Sequence, residues 1–195
     1  QLQEVLARYP QTLVIIDDHF ALLSACRWYP VIAPETTHWA IVRSMSKTLG
    51  PDLRLAIVAS DPVTSGKLRL RLNSGSQWVS HLLQDLACAC LSDETYQHTL
   101  AQTQQFYAVR QQKLNSALRQ HGIELPVGDG LNLWLPLEDH SQAIAFALAK
   151  SGWLVREGEV FGVNTPAHGL RITLSTLEDS DIDKLAADIH QALKR

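Results

Sequence analysis

Residues 44–54 run Ser44-Met45-Ser46-Lys47-Thr48-Leu49-Gly50-Pro51-Asp52-Leu53-Arg54. They lie between two β-prone stretches, Trp39-Ala40-Ile41-Val42-Arg43 and residues 53–59. Gly50 and Pro51 mark a loop at the end of the first strand. A lysine in such a loop is a candidate Schiff-base nucleophile. That chemistry needs a neutral primary amine, and burial among other cations lowers a lysine pKa enough to supply one. Arg54 and Ser44 offer what a phosphate monoester binds, a guanidinium fork and a hydroxyl donor.

Upstream, Thr12-Leu13-Val14-Ile15-Ile16 is an unbroken apolar run that ends in Asp17-Asp18. The run predicts a strand buried on both faces, as in a parallel sheet. Polar residues at the carboxyl end of such a strand stand where open α/β sheets bind ligands. Either Asp17 or Asp18 offers a carboxylate for a protonated pyridine nitrogen; the strand pattern does not choose between them. Amine, phosphate partners and carboxylate together match what a protein contributes to pyridoxal 5′-phosphate (PLP) chemistry.

The rest of the chain reads as alternating elements. Residues 2–9 predict a short helix ended by Pro10, and 62–73 a second. From Ser76 the spacing of Val79, Leu82, Leu83, Leu86 and Cys90 is helical. Asp93 is placed to cap a long helix reaching His121, with Tyr96, Leu100, Tyr107, Leu114 and Leu118 inward and Gly122 closing it. Beyond it come a strand at 131–135, a helix at 140–150, short strands at 153–155 and 170–174, and a helix at 178–194. In that last helix Ile182, Leu185, Ile189 and Leu193 are expected to face inward. This closing stretch suits a small α+β domain.

Composition excludes several classes. The 195 residues carry a net charge of −3, with 46% hydrophobic and 19% charged residues, as in an ordinary globular chain. No stretch approaches the roughly 20 apolar residues of a membrane span. No basic-then-apolar leader opens the chain. Three unevenly placed cysteines argue against a secreted disulfide scaffold and agree with a reducing cytoplasm. Cys88 and Cys90 are expected as packing residues, and the eight histidines lack zinc-ligand spacing, so no metal site is expected. Mild acidity gives no nucleic-acid footprint; the one basic stretch, Lys67-Leu68-Arg69-Leu70-Arg71, reads as charges on the solvated side of a packed segment. Residue 1 is Gln and the single methionine is Met45, so the chain is expected to be a piece of a longer product.

With these residues in view, Ser44-x-Ser46-Lys47-Thr48-x-x-Pro51-x-x-Arg54 resembles the lysine motif of fold-type I PLP enzymes, the aminotransferase family. The acidic pair about 30 residues upstream fits that family's order. So do Val155-Arg156-Glu157-Gly158-Glu159-Val160-Phe161 and Gly169-Leu170-Arg171-Ile172 near the C-terminus. Within the family, Ser-Lys-Thr-Leu-Gly-Pro-Asp-Leu-Arg-Leu and the preceding Asp-Asp-His-Phe are similar to the aminotransferase-like effector domains of MocR-type GntR regulators, in the vitamin B6-responsive repressor branch.

The resemblance implies an α/β fold, the C-terminal part of a fold-type I PLP-dependent transferase. Residues 1–92 would be a remnant of the mostly parallel large-domain sheet, 93–121 the connecting helix and 122–195 the small α+β domain. Lys47 would hold PLP, Ser44, Ser46 and Arg54 its phosphate, and Asp17 or Asp18 its pyridine nitrogen. Arg171 would take the carboxylate of an amino-acid-like ligand. His19 and Phe20 stand near the place where the family has a tyrosine, which leaves His19 as the side chain for the cofactor's phenolic oxygen. Ala56 stands where many relatives have Gly. A homodimer is implied, along with a winged helix-turn-helix DNA-binding domain upstream of residue 1. The family's phosphate-cradling loop and ring-stacking residue also belong upstream, so this chain alone is expected to bind PLP weakly. The alternative function is a catalytic aminotransferase acting on an amino acid and a 2-oxo acid.

Overall fold

The computed structural model describes residues 1–75 and 78–194. The chain divides into two compact units, Gln1–Gln102 and Thr103–Arg195. No helix among the described residues is long and apolar enough to cross a membrane.

The first unit contains α1 (Leu2–Ala7), β1 (Val14–Asp17), β2 (Trp39–Ser44), β3 (Ala56–Ser60), α2 (Pro62–Leu72) and α3 (His81–Ser92). Its sheet has the order β1-β2-β3. β1 and β2 are parallel, with Asp17 opposite Val42; β2 and β3 are antiparallel, with Ser44 opposite Ala56. The apolar run of β1 is not buried on both faces as expected: Ile15 is 62% exposed, and β3 exposes Ile57 and Val58. Ile57 and Val58 are neighbours on β3 and face opposite sides, so β3 is exposed on both faces. β3 also starts later than the β-prone residues suggest. Leu53 and Leu55 are spent in a turn, where Leu53 N–H donates to Gly50 O (3.2 Å) and Leu55 N–H to Leu53 O (2.9 Å). Gly50 has φ +119°, a conformation that side-chain-bearing residues rarely adopt.

α2 begins as its sequence demands. Asp61 is the N-cap, Pro62 opens the first turn, and Asp61 Oδ1 accepts from the N–H groups of Val63 and Thr64 (both 2.9 Å). Asp61 Oδ2 accepts from Trp39 N–H (2.8 Å), which ties the start of α2 to the start of β2. The Thr64 hydroxyl and these backbone donors hold the Asp61 carboxyl well below the usual carboxylate range. Asp61→Ala leaves three backbone donors and the Thr64 hydroxyl without this acceptor and is expected to lower the Tm by about 2–8 °C in a thermal melt.

The helix expected from Ser76 starts at a residue outside those described; α3 runs from His81. Its inward stripe is Leu83, Ala87 and Leu91, whereas Leu82 is 81% and Leu86 50% exposed. The 3.6-residue period is right and its phase is off by one residue, because the buried position is the small Ala87. Cys88 is exposed for the same reason, so it does not pack as expected. The core of this unit gathers Met45, Leu53 and Ala87 with Leu22, Leu49, Leu55, Leu83 and Leu91.

Helix α4 (Glu94–Gln120) carries the unit boundary within it. Asp93 Oδ1 accepts from Tyr96 N–H (2.7 Å) at its start. At its end Gly122, φ +79°, turns the chain, and Ile123 N–H donates back to Leu118 O (3.0 Å). The second unit adds β4 (Asn132–Pro136), α5 (Ser141–Lys150), β5 (Arg156–Glu157), β6 (Gly169–Thr173) and α6 (Ile182–Leu193). Its antiparallel sheet has the order β4-β6-β5. The strand expected at 153–155 forms instead at 156–157. Trp153 is taken up in closing α5, its N–H donating to Leu148 O (3.0 Å) and its indole N–H to Asp188 (2.7 Å).

The core of this unit joins Leu114 and Leu118 of α4, Leu133 and Leu135 of β4, Leu170 and Ile172 of β6, and Ile182, Leu185 and Ile189 of α6. Each fully buried leucine or isoleucine contributes on the order of 1.5–3 kcal/mol. Leu193 lies 36% exposed, and Ala192 takes the inward place expected for it.

Where α6 meets the end of α4, the rings of His121 and His190 lie 4.9 Å apart. Burial first, then Lys194 and His121, push the His190 pKa down. The unfolded chain therefore takes the proton first as pH falls. Stability is present above the ordinary histidine value near 6.5 and is lost as pH falls through the folded value. Urea titrations at pH 7.5 and 5.5 are expected to show this loss, and His190→Gln to reduce it.

Candidate functional site

Alternate residues of a strand share a face. The β1–β2 register therefore puts Asp18 with Arg43 on one face, and Asp17 with Val42 and Ser44 on the other. Arg43 Nε and Nη2 donate to Asp18 Oδ2 at 3.1 and 2.7 Å, and Ala21 N–H donates to Asp18 Oδ1 at 3.1 Å. Both Asp18 oxygens are engaged, and the side chain is buried. Asp17 is exposed; His19 Nδ1 lies 3.7 Å from its Oδ1. The two aspartates thus divide: Asp18 braces the strand ends, and Asp17 is presented on the Ser44 face.

The lysine loop follows β2 directly. Thr48 and Leu49 N–H groups donate to Met45 O (3.1 and 2.8 Å), forming the turn that carries Lys47. Met45 is 1% exposed and anchors the turn in the core. Ser44 and Ser46 hydroxyls are hydrogen-bonded to each other (2.9 Å), and Ser46 N–H donates to Ser44 Oγ (3.3 Å). Met45 N–H donates to Leu55 O (3.0 Å). That bond continues the β2–β3 register by one step beyond Ser44–Ala56, and Arg54 is the residue before Leu55. Lys47 and Arg54 are exposed and, among the described residues, have no hydrogen bond or ion pair. The expectation of a buried lysine is corrected, because the described residues of this unit leave the lysine turn open.

The loop thus combines two uncommitted cations with two hydroxyls, and one aspartate on the same sheet face. Such a set suits a ligand that bears a phosphate, an electrophilic carbon and a basic ring nitrogen.

A further residue supports this loop. Tyr96 of α4 donates its hydroxyl to Thr48 O (3.3 Å). Burial, then Cys90, raises the Tyr96 pKa and keeps that donor protonated. The inward stripe of α4 located Tyr96, and a half-buried phenol needs an acceptor, but the stripe does not say which. Arg43 was also not singled out; the signal was an acidic pair beside a strand arginine.

Arg171 belongs to the second unit, on the central strand β6, opposite Trp134 on β4 and Arg156 on β5. Its guanidinium carbon sits 5.1 Å from the Phe161 ring centroid. Phe161 in turn meets Trp134 edge-on, centroids 6.2 Å apart. Arg171 Nε is buried without a partner among the described residues. Glu159 holds the loop that carries Phe161, with His168 Nδ1 3.2 Å from its Oε1. Glu159's own N–H, then the His168 and Ser141 side chains, keep its carboxyl below the usual range. Buried Ser141 accepts from Gly169 N–H (2.8 Å) at the start of β6.

The sequence profile of the aminotransferase class I and II family matches residues 1–189. The vitamin B6 salvage pathway transcriptional repressor PtsJ of Salmonella typhimurium is 74% identical over 194 residues, covering 100% of this chain and 45% of that protein. The chain therefore spans less than half the length of this curated relative. Among solved structures, α-aminoadipate aminotransferase LysN of Thermus thermophilus superposes with TM-score 0.77 at 22% identity, over 99% of this chain and 52% of that one. Aromatic aminotransferase of Pyrococcus horikoshii superposes with TM-score 0.82 at 17% identity, over 98% and 54%. These likenesses show the fold, and they extend over about half of each enzyme.

Proposed function

Because the chain belongs to the class I and II aminotransferase family, with the fold-type I architecture of its C-terminal part, we propose that it is the PLP-binding effector domain of a MocR/GntR-type transcriptional regulator of vitamin B6 metabolism. The observation that carries this reading is the 74% identity to a protein named as a vitamin B6 salvage repressor. In this reading a winged helix-turn-helix domain precedes the chain and binds DNA. The protein works in the cytoplasm as a homodimer. Residues 1–92, 93–121 and 122–195 are then large-domain remnant, connecting helix and small domain.

The residues fit the cofactor. Lys47 offers a free amine, Arg54 a free guanidinium, and Ser44 and Ser46 paired hydroxyls on one loop. Bound PLP supplies an aldehyde that a lysine amine captures reversibly. Lys47 is the amine, and Arg54 with Ser44 and Ser46 orients the phosphate. Asp17 holds the proton of a pyridine nitrogen, with His19 beside it for the phenolic oxygen. Asp18 acts through Arg43 to set the strand ends. Arg171, backed by Phe161, takes an effector carboxylate.

Electrophoretic mobility shifts of the intact polypeptide on its own upstream promoter DNA, with and without PLP, test this. DNA binding whose affinity changes with PLP is expected. The free lysine and its motif also favour a second reading, a catalytic aminotransferase. Sustained turnover of an amino acid with a 2-oxo acid, without DNA binding, would replace the first reading with the second.

A further inference from the structure

The basic stretch Lys67–Arg71 lies outside the lysine loop. It lies on α2, and its charges are exposed as expected, yet Leu70 is exposed too. The segment is therefore not a packed one with a single solvated side. On α2, Thr64, Lys67, Leu68 and Arg71 follow helical spacing and share one face. That face lines a groove of about 480 Å³ whose other side is formed by Gln11, Leu13 and His38. Leu13 and His38 immediately precede β1 and β2, so the groove lies at the strand starts. Lys47 follows the end of β2.

The groove lining contains no Asp or Glu. Gln11, His38, Lys67 and Arg71 have no side-chain hydrogen bond or ion pair among the described residues. The nearest carboxylate in sequence, Asp61, is already committed to Trp39, Val63 and Thr64. The chain's net charge of −3 does not cancel the local excess, because screening limits its reach to about 8–10 Å. Lys67 and Arg71 stand one turn apart, where a phosphate can accept from both. Leu13 and Leu68 add apolar wall, and the volume exceeds what a bare phosphate fills.

We propose that this groove binds a small phosphate monoester, with Lys67 and Arg71 on the phosphate and Leu13 and Leu68 against its organic part. It is a site separate from the lysine loop.

The test is a calorimetric titration of phenyl phosphate into the intact polypeptide carrying Arg54→Gln, which removes the phosphate anchor assigned to the lysine loop. Saturable binding is expected, tighter than for inorganic phosphate. Adding Lys67→Gln and Arg71→Gln is expected to weaken it tenfold or more with an unchanged circular dichroism spectrum. The exchange Lys67→Arg with Arg71→Lys is expected to retain it. No saturable binding, or affinity indifferent to the Gln pair, overturns the proposal. So does equal affinity for inorganic phosphate. A mixed-sequence DNA duplex that displaces phenyl phosphate, and loses more affinity to the Gln pair than phenyl phosphate does, overturns it in favour of a nucleic-acid surface.

Discussion

Lys47→Ala in the intact polypeptide is expected to abolish the covalent PLP adduct. Incubation with PLP, borohydride reduction and peptide mapping should place the wild-type adduct on the peptide containing Lys47 and find none in the variant. The turn around Lys47 is held by main-chain bonds to Met45 and by Tyr96 on Thr48, so truncating an exposed lysine leaves the loop in place. Loss of the adduct should therefore come without a change in Tm. An adduct of equal yield on another lysine would sink the assignment. Lys47→Arg sharpens the result: it retains the positive charge but not the primary amine, and is expected to be as inactive as Lys47→Ala.

Gly158→Ala should be the most damaging single methyl group in the second unit. A Cβ built there would stand 2.0 Å from Ala167 O and 2.8 Å from Gly169 N, both main-chain atoms. Gly169→Ala meets Trp134 Cζ2 at 2.4 Å and Leu135 O at 2.8 Å. Neither neighbour is the free end of a flexible chain. Overpacking costs typically 1–3 kcal/mol, and a collision with backbone belongs at or above the top of that range. A Tm lower by about 6–12 °C is expected for Gly158→Ala, or failure to fold. Gly66→Ala is the control with the opposite sign. It lies within α2 with nothing in reach of an added Cβ, so the gain in helix propensity should raise stability by about 0.5–1 kcal/mol. Equal behaviour of the two variants in denaturant melts would contradict the packing described.

The sequence made the elements legible where a local rule forces them. Asp93 starts α4, Gly122 ends it, and the lysine loop follows its strand. Less legible were features set by what a segment packs against. The apolar run at 12–16 does not reveal that Ile15 faces outward, because hydrophobicity reports what tolerates burial and not what covers it. The phase of α3 turned on small Ala87 against larger, exposed Leu82 and Leu86. Trp153-Leu154-Val155 has the composition of a strand, but Trp153 closes a helix and Leu154 is 94% exposed. In the site, residue types identified the lysine, serines and arginine. They did not divide Asp17 from Asp18, since that depends on which residue Arg43 pairs across the strands.

Met45 holds the turn of Lys47 from below while buried to 1% exposure, and it is the sole methionine of the chain. Its thioether is thus shielded from peroxide, so oxidative damage at the loop should fall on other groups first. A single ¹³C-methyl label on this residue would give one resonance from the floor of the lysine turn. In the intact polypeptide a Met45→Leu variant identifies that signal, and occupation of the loop becomes readable as its shift.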